Sequence, residues 1–251
     1  MNAVTSRIVV VFGATSEIAA AAARIYAEAG CRLILVGRDG ATLSAAKGDL
    51  LARGAAEVAV QEADFAHTAS LPDVTAAAWE QFGGVDIAVI AYGSLPDQAE
   101  TERQVAAAEA GLLINFTSPA LLANELASRF AVQGHGTLAV ISSVAGDRGR
   151  GSNYLYGAAK GGLQRFLEGL RHRLHKSGVD VLDIRPGFVS TKMTAHLNRK
   201  GPLWATPEQV AADIVKAIAA RRAVLYTPWF WRGIMTAVRN VPRPVFHRTQ
   251  L

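Results

Sequence analysis

Tyr156 and Lys160 stand four residues apart in a stretch, 156–167, whose apolar residues recur with helical spacing, so both side chains share one helix face. An ammonium beside a phenol favours the phenolate. At roughly 4 Å and an effective dielectric near ~20, the attraction is worth about 4 kcal/mol. That brings the phenol down by a few units from about 10 towards neutrality, where a general acid works best. Ser143 lies thirteen residues before Tyr156, at the end of the strand-like run 137–142. There its hydroxyl projects over a sheet edge, where it can hydrogen-bond a carbonyl oxygen. Together these groups suit proton delivery to a carbonyl whose carbon is being reduced, and that chemistry needs no metal. A lone Tyr-x-x-x-Lys pair arises by chance, so its surroundings decide.

The elements that must position these residues alternate between strand and helix patterns. Residues 8–12 form a continuous β-branched and aromatic run that ends at Gly13, and 14–19 open an alanine-rich helix. This is the strand, turn and helix N-terminus that receives a dinucleotide pyrophosphate, with Thr15 and Ser16 offering hydroxyls and Ile18 completing the cofactor-facing set. The second strand, 32–36, leads into Gly37-Arg38-Asp39, where an acid would suit the ribose hydroxyls of NAD. Arg38 there can grip an adenosine 2′-phosphate, which points to NADP(H). A surface arginine is the plain alternative, and Asp39 leaves room for NAD. A helix over 41–53 follows, then strands at 57–60, 86–91, 137–142, 179–184 and 223–226, with a helix beginning at Pro207. The pattern predicts a single α/β domain, a Rossmann-type doubly wound parallel sheet with helices on both faces and ligands at the carboxyl ends of the strands. Gly13, Arg38, Asp64, Gly93 and Ser143 each follow one of five successive strands and so converge on one rim. Residues 192–204 are irregular and read as a substrate lid.

Asn115, Ser143, Tyr156 and Lys160 have the order and spacing of the tetrad of short-chain dehydrogenases/reductases, and the chain resembles that family from Ile8 to about Tyr226. The resemblance implies that Asn115 occupies the proton-relay position, that Lys160 holds the nicotinamide ribose, and that Asp64 meets adenine. It also implies that Ala91 and Gly93 contact the cofactor, that Val189 offers backbone groups to the nicotinamide amide, and that Thr191 offers a hydroxyl. Glu17 and Ala19 replace two glycines of the family's Gly-x-x-x-Gly-x-Gly turn. Glu17 is expected to turn away from the pyrophosphate and favour the helix N-terminus; Tyr92, in place of the family's alanine, is unexplained.

The segments 13–18, 86–93, 142–148, 185–187 and 193–197 look more narrowly like the reductase half of decaprenylphosphoryl-ribose 2′-epimerases. That likeness implies reduction of a 2-keto pentose on a polyprenyl phosphate, with a separate flavin-dependent sugar oxidase making the ketone. The rivals are a reductase of 3-oxoacyl thioesters or small soluble ketones, and a catalytically silent NADP(H)-binding protein. Small residues in the helices around Asn115 and Tyr156, together with the family resemblance, imply a homodimer or homotetramer.

Half of the 251 residues are hydrophobic, yet no uninterrupted apolar run approaches the ~18 of a membrane span. The first seven residues carry no signal-peptide pattern, and a lone cysteine, Cys31, excludes an intrachain disulfide framework, so a cytoplasmic setting is expected. From Ile214 onward there are seven basic residues and no acid, within a net charge of +5. The basicity belongs to the tail and accompanies no nucleic-acid-binding motif. Residues 1–226 are read as the NADP(H)-binding and catalytic domain and 227–251 as its amphipathic basic extension. In 229–241, Phe230, Trp231, Ile234, Met235, Val238 and Val241 fall on one helical face and arginines on the other. Such a helix packs on its own core or a subunit, or lies in an anionic membrane interface; peripheral contact at the inner face of the membrane is the expectation.

Overall fold

Alternate residues of each strand bury themselves on opposite faces of the sheet, and this organises the computed structural model, which describes residues 7–195, 197 and 201–249. In chain order the first half comprises β1 (Ile8–Phe12), α1 (Glu17–Glu28), β2 (Arg32–Gly37), α2 (Gly40–Ala52), β3 (Glu57–Glu62), α3 (Leu71–Glu80), β4 (Ile87–Ile90), α4 (Gln98–Arg103), α5 (Val105–Leu112) and α6 (Ser118–Gln133). The second half comprises β5 (Gly136–Ile141), α7 (Tyr154–Leu174), β6 (Val179–Pro186), β7 (Phe188–Val189), β8 (Trp204–Ala205), α8 (Pro207–Ala219), β9 (Val224–Thr227), α9 (Trp231–Asn240) and α10 (Arg243–Phe246). The main sheet is wholly parallel in the order β3-β2-β1-β4-β5-β6-β9. Its strand order reverses between β1 and β4, which opens a crevice at their carboxyl ends.

Val9, Val11, Leu33 and Leu35 face one helical layer, meeting Leu43 of α2 and Val210 and Ile214 of α8. Val10, Phe12, Ile34 and Val36 face the other, meeting Leu126 and Phe130 of α6 and Leu163 and Leu167 of α7. Two-sided burial explains why these strands read as unbroken apolar runs. The alanine-rich face of α1 lets α8 approach closely, with Ala21 and Ala22 against Ala211.

Two helices bear on the question of membrane contact. α5 and α6 join through a π-helical turn, Leu113–Thr117, into a helix, Val105–Gln133, with a mean hydropathy of 1.4 over its most apolar window, long and apolar enough by composition to cross a membrane. Its Leu122, Leu126 and Phe130 are core residues of the fold, which accounts for the hydropathy. The tail helix forms as α9, and its apolar face is already covered: Trp231 and Met235 are buried with Val144, and Phe230, Ile234 and Val238 pack beside them. The helix therefore closes over the loop after β5, and among the tail's tryptophans only Trp229, 81% exposed, stays outside. Arg148, in that same loop, donates to the carbonyls of Val238 and Val241, the latter at 2.8 Å, and its guanidinium lies 3.6 Å from the Phe246 ring centroid. It thus satisfies carbonyls that the end of α9 leaves without helical partners.

A second arginine joins three elements. Arg185 of β6 donates to Asp183 at 2.7 Å, to Asp147 after β5 at 3.0 Å, and to the Tyr226 hydroxyl of β9 at 2.9 Å, and Tyr226 in turn donates to Asp147 at 2.7 Å. Burial alone would lower the guanidinium pKa, but the charge and hydrogen bond of Asp183 outweigh it and hold it raised. Arg185→Leu leaves two buried carboxylates without their cation and is expected to cost about 3–5 kcal/mol in urea unfolding, whereas a loss under about 1 kcal/mol would show that the network tolerates the missing charge.

Candidate active site

The rim predicted from the strands exists as one cavity of about 580 Å³ at the carboxyl ends of β1, β4, β5 and β6. Gly13 (φ +83°) turns the chain out of β1 where a Cβ would stand 2.8 Å from Tyr92, so the turn after β1 and the exit of β4 meet over glycine. Thr15, Ser16 and Ile18 follow at the cavity wall. Ser16 caps α1 without giving its hydroxyl to the helix backbone, which leaves that oxygen and the helix N-terminus for an anion. Arg38 lines the cavity beyond β2 and is exposed, with no ion pair among the described residues.

Glu17 turns aside as its charge requires, but not to the helix N-terminus. Its carboxylate accepts from the backbone N–H of Lys192 at 2.6 Å, which ties the turn after β1 to the segment after β7. Asp64 is exposed beyond β3. It is not part of the cavity wall; its carboxylate accepts from Ala66 N at 3.0 Å, and Phe65 faces the cavity instead. The Phe65 ring stacks on Tyr92 at 4.1 Å, and the Tyr92 hydroxyl pairs with Ser118 at 2.8 Å. That explains the tyrosine at the exit of β4: it joins β4 to α6 and to the loop after β3, and burial pushes its phenol up.

Asn115 is fully buried in the π-helical turn. The turn frees the carbonyl of Gly111, which accepts from the Asn115 amide at 2.9 Å, while Asn115 Oδ1 receives the N–H of Ser94 at 3.1 Å. A Cβ on Gly93 would stand 2.8 Å from Asn115 Oδ1 and 3.5 Å from Lys160 Nζ, so the amide and the ammonium converge on the exit of β4. Ala91, Gly93, Val189 and Thr191 also line the cavity.

Ser143 leaves β5 in extended conformation, its hydroxyl accepting from Ala145 N at 3.1 Å, and the cavity wall it shares with Tyr156 is completed by α7. Lys160, 3% exposed, donates to the carbonyl of Ile141 at 3.2 Å, and its ammonium lies 5.9 Å from the centre of the Tyr156 ring. Here the expected electrostatics are reversed. Tyr156 is partly exposed to the cavity, yet enclosed enough that burial pushes its phenol up, with the Ser143 hydroxyl opposing. Lys160 is pushed down to about 8 by burial, with Asp183 opposing. The shared helix face was read correctly, but the ammonium runs past the ring to the sheet edge. Three cavity residues carried no signal in the sequence: Arg150, Asn153 and Trp231. Arg150 and Asn153 sit in an irregular loop, and Trp231 reaches the cavity only because α9 folds back.

The chain matches the family described as short chain dehydrogenase over residues 7–201 and belongs to it. It is an NAD(P)-dependent oxidoreductase of that family. It is 38% identical over 240 residues to an uncharacterized oxidoreductase of Mycobacterium tuberculosis, covering 96% of each chain. It is 37% identical over 247 residues to an uncharacterized oxidoreductase of Streptomyces coelicolor, covering 96% of this chain and 95% of that protein. Among solved structures it is similar to a short-chain dehydrogenase from Sphingobium yanoikuyae in complex with NADPH, with a TM-score of 0.83 at 24% identity over 97% of this chain and 96% of that one. Levodione reductase is similar at a TM-score of 0.79 and 25% identity, over 88% and 95% of the two chains.

The buried ammonium makes a pH prediction. A lysine whose folded pKa is about 8 instead of 10.5 costs stability in full below about 8, because the unfolded chain holds the proton more tightly. The cost fades as pH rises from about 8 to 10.5. Lys160→Met is therefore expected to be more stable than the parent in urea at neutral pH, with the gap narrowing above pH 8; a gap independent of pH would refute the linkage.

Proposed function

We propose that this chain reduces a ketone to a secondary alcohol with NADPH, carried by one observation: Asn115, Ser143, Tyr156 and Lys160 line a single cavity whose far end holds Arg38. The cradle fits a dinucleotide: a glycine turn, a helix N-terminus with a free Ser16 hydroxyl, and an exposed arginine for the 2′-phosphate. A bound reduced nicotinamide supplies the hydride. Ser143 holds the ketone oxygen, and Tyr156 gives it a proton. A phenol kept protonated by burial is the state a general acid needs at the start, so the raised pKa suits reduction. Lys160, still largely charged below pH 8, holds the nicotinamide ribose and compensates the charge that develops on Tyr156 as its proton leaves. Asn115, whose amide converges with the Lys160 ammonium on Gly93, is assigned the relay position.

The finer reading is a 2-keto pentose on a polyprenyl phosphate, produced by a separate flavin-dependent sugar oxidase. It is supported by the motif resemblance and by the apolar residues Leu95, Phe188, Met193, Leu197 and Trp231 on the cavity wall. The same lining suits 3-oxoacyl thioesters or small ketones, and turnover across keto-sugar lipids, oxoacyl thioesters and simple ketones separates the two. Exposed Leu112, Leu121 and Tyr154 on α5, α6 and α7 support assembly into a homodimer or homotetramer through those helices.

Tyr156→Phe should lower the hydride-transfer rate by about 10²–10⁴-fold while NADPH still binds, and undiminished turnover would sink the assignment. Arg38→Asp should weaken NADPH about tenfold or more and NADH much less in equilibrium titrations. Equal losses for both cofactors would make Arg38 structural.

A further inference from the structure

With Arg32 Nε set aside, because it lies 2.8 Å from Glu57, four buried side-chain polar atoms have no hydrogen-bond partner among the described residues, and three of them, Arg150 Nε, Asn153 Oδ1 and Trp231 Nε1, belong to residues lining the candidate active-site cavity. Buried polar groups are normally satisfied, so an arginine with an unmet donor at the cavity is a sign of what enters there, whereas Trp231 Nε1 lies against the Gly187 backbone. Arg150 is half-buried, no acidic residue pairs with it among the described residues, and burial pushes its guanidinium below its ordinary value. The other arginines near this wall are engaged: Arg148 on the carbonyls of α9, and Arg185 on Asp183 and Asp147. Asn153 precedes α7 at its N-cap, yet its side chain does not cap the helix. Its backbone N–H donates to the Arg150 carbonyl at 3.2 Å, so the two side chains leave one tight turn, a turn away from Tyr156. Trp231, 5% exposed, stands beside Phe188 with ring centres 5.4 Å apart.

We propose that Arg150, with Asn153 beside it, forms a subsite for an oxyanion carried by the ketone substrate, a phosphoryl or carboxylate group. A guanidinium offers paired donors to such a group, and the Asn153 amide takes a neighbouring hydroxyl or N–H. An uncharged ketone would leave a partly desolvated cation facing an apolar wall, which costs binding energy that an anionic substrate restores. The substrate class narrows accordingly to ketones with an anionic group near the carbonyl. This rests on the ketoreductase reading for its meaning, though not for its test.

The test is equilibrium binding to the full chain saturated with NADPH, so that Arg38 and the N-terminus of α1 are already occupied. The probes are methyl phosphate, acetate and methanol at constant ionic strength. Saturable binding of methyl phosphate or acetate but not methanol is expected, weakened about tenfold or more by Arg150→Gln and less by Arg150→Lys. Methyl phosphate alone assigns a phosphoryl group and acetate alone a carboxylate. Asn153→Asp, which sets a carboxylate beside the guanidinium, should weaken the anion as well and serves if Arg150→Gln fails to fold. In turnover, Arg150→Gln should raise KM for a keto-pentose phosphate about tenfold or more while the Kd of NADPH stays as it was. Absence of saturable anion binding, or binding that Arg150→Gln leaves unchanged, overturns the subsite. Anion binding by an enzyme that reduces no ketone would sink the ketoreductase reading and leave the subsite standing.

Discussion

One guanidinium holds the working edge of this protein together. Arg185 lies at the end of β6, and its two carboxylates come from its own strand and from the loop that carries Ser143. Because Tyr226 of β9 closes the ring on Asp147, the last strand, the loop after β5 and the Pro186-Gly187 turn are fixed in one buried network. A buried ion pair contributes little net stability compared with apolar packing, but it specifies geometry strongly, since every alternative leaves a charge unpaired. Asp183 belongs to it twice over. It also accepts the Ser142 hydroxyl at 2.5 Å, next to the residue whose position matters most for a carbonyl. The adjoining Arg148 then carries the constraint outward to α9, so the helix that closes the cavity is held by the same loop that shapes its floor.

Against that rigid edge, Lys160 is a deliberate weakness. An ammonium 3% exposed, with a backbone carbonyl as its hydrogen-bond acceptor, is disfavoured by burial, and Asp183 compensates only in part. A methionine would pack there at lower cost. That the fold keeps a charge at this place is understandable only if something else is to share it, and the cavity beside it is where a ribose and a nascent phenolate would stand. The lysine's value to the site is therefore measured by the stability it gives up.

Much of this was legible because periodicity and strand ends are local properties. Unbroken apolar runs gave the buried strands, and Gly13, Arg38, Gly93 and Ser143, which follow β1, β2, β4 and β5, line the crevice, as parallel topology requires. What spacing could not express at Asp64 is the local bond its carboxylate makes to the backbone N–H of Ala66. The pairing of Tyr156 with Lys160 was right in face and wrong in sign. Coulomb attraction is calculable from spacing, but desolvation depends on which elements the fold packs around the two groups, and here it dominates both. The tail shows the same limit. An amphipathic pattern states that one face wants cover without stating what supplies it, and here Val144 with the loop after β5 packs on it.

Glu17 shows how a departure from a familiar turn can be physically consistent. Replacing a glycine near a pyrophosphate site with a carboxylate would repel the ligand unless the charge were led away and satisfied elsewhere. The Lys192 N–H does this, and it stands at the start of a short turn whose Thr191 and Thr194 side chains cap each other's backbone. The carboxylate thus loses its freedom to face the phosphates because a preorganised backbone donor on the opposite bank holds it. What would be a defect in an isolated turn becomes a strut across the cleft, joining the phosphate-binding end to the segment over the nicotinamide end. The two banks of the cleft are consequently fixed to each other at this point.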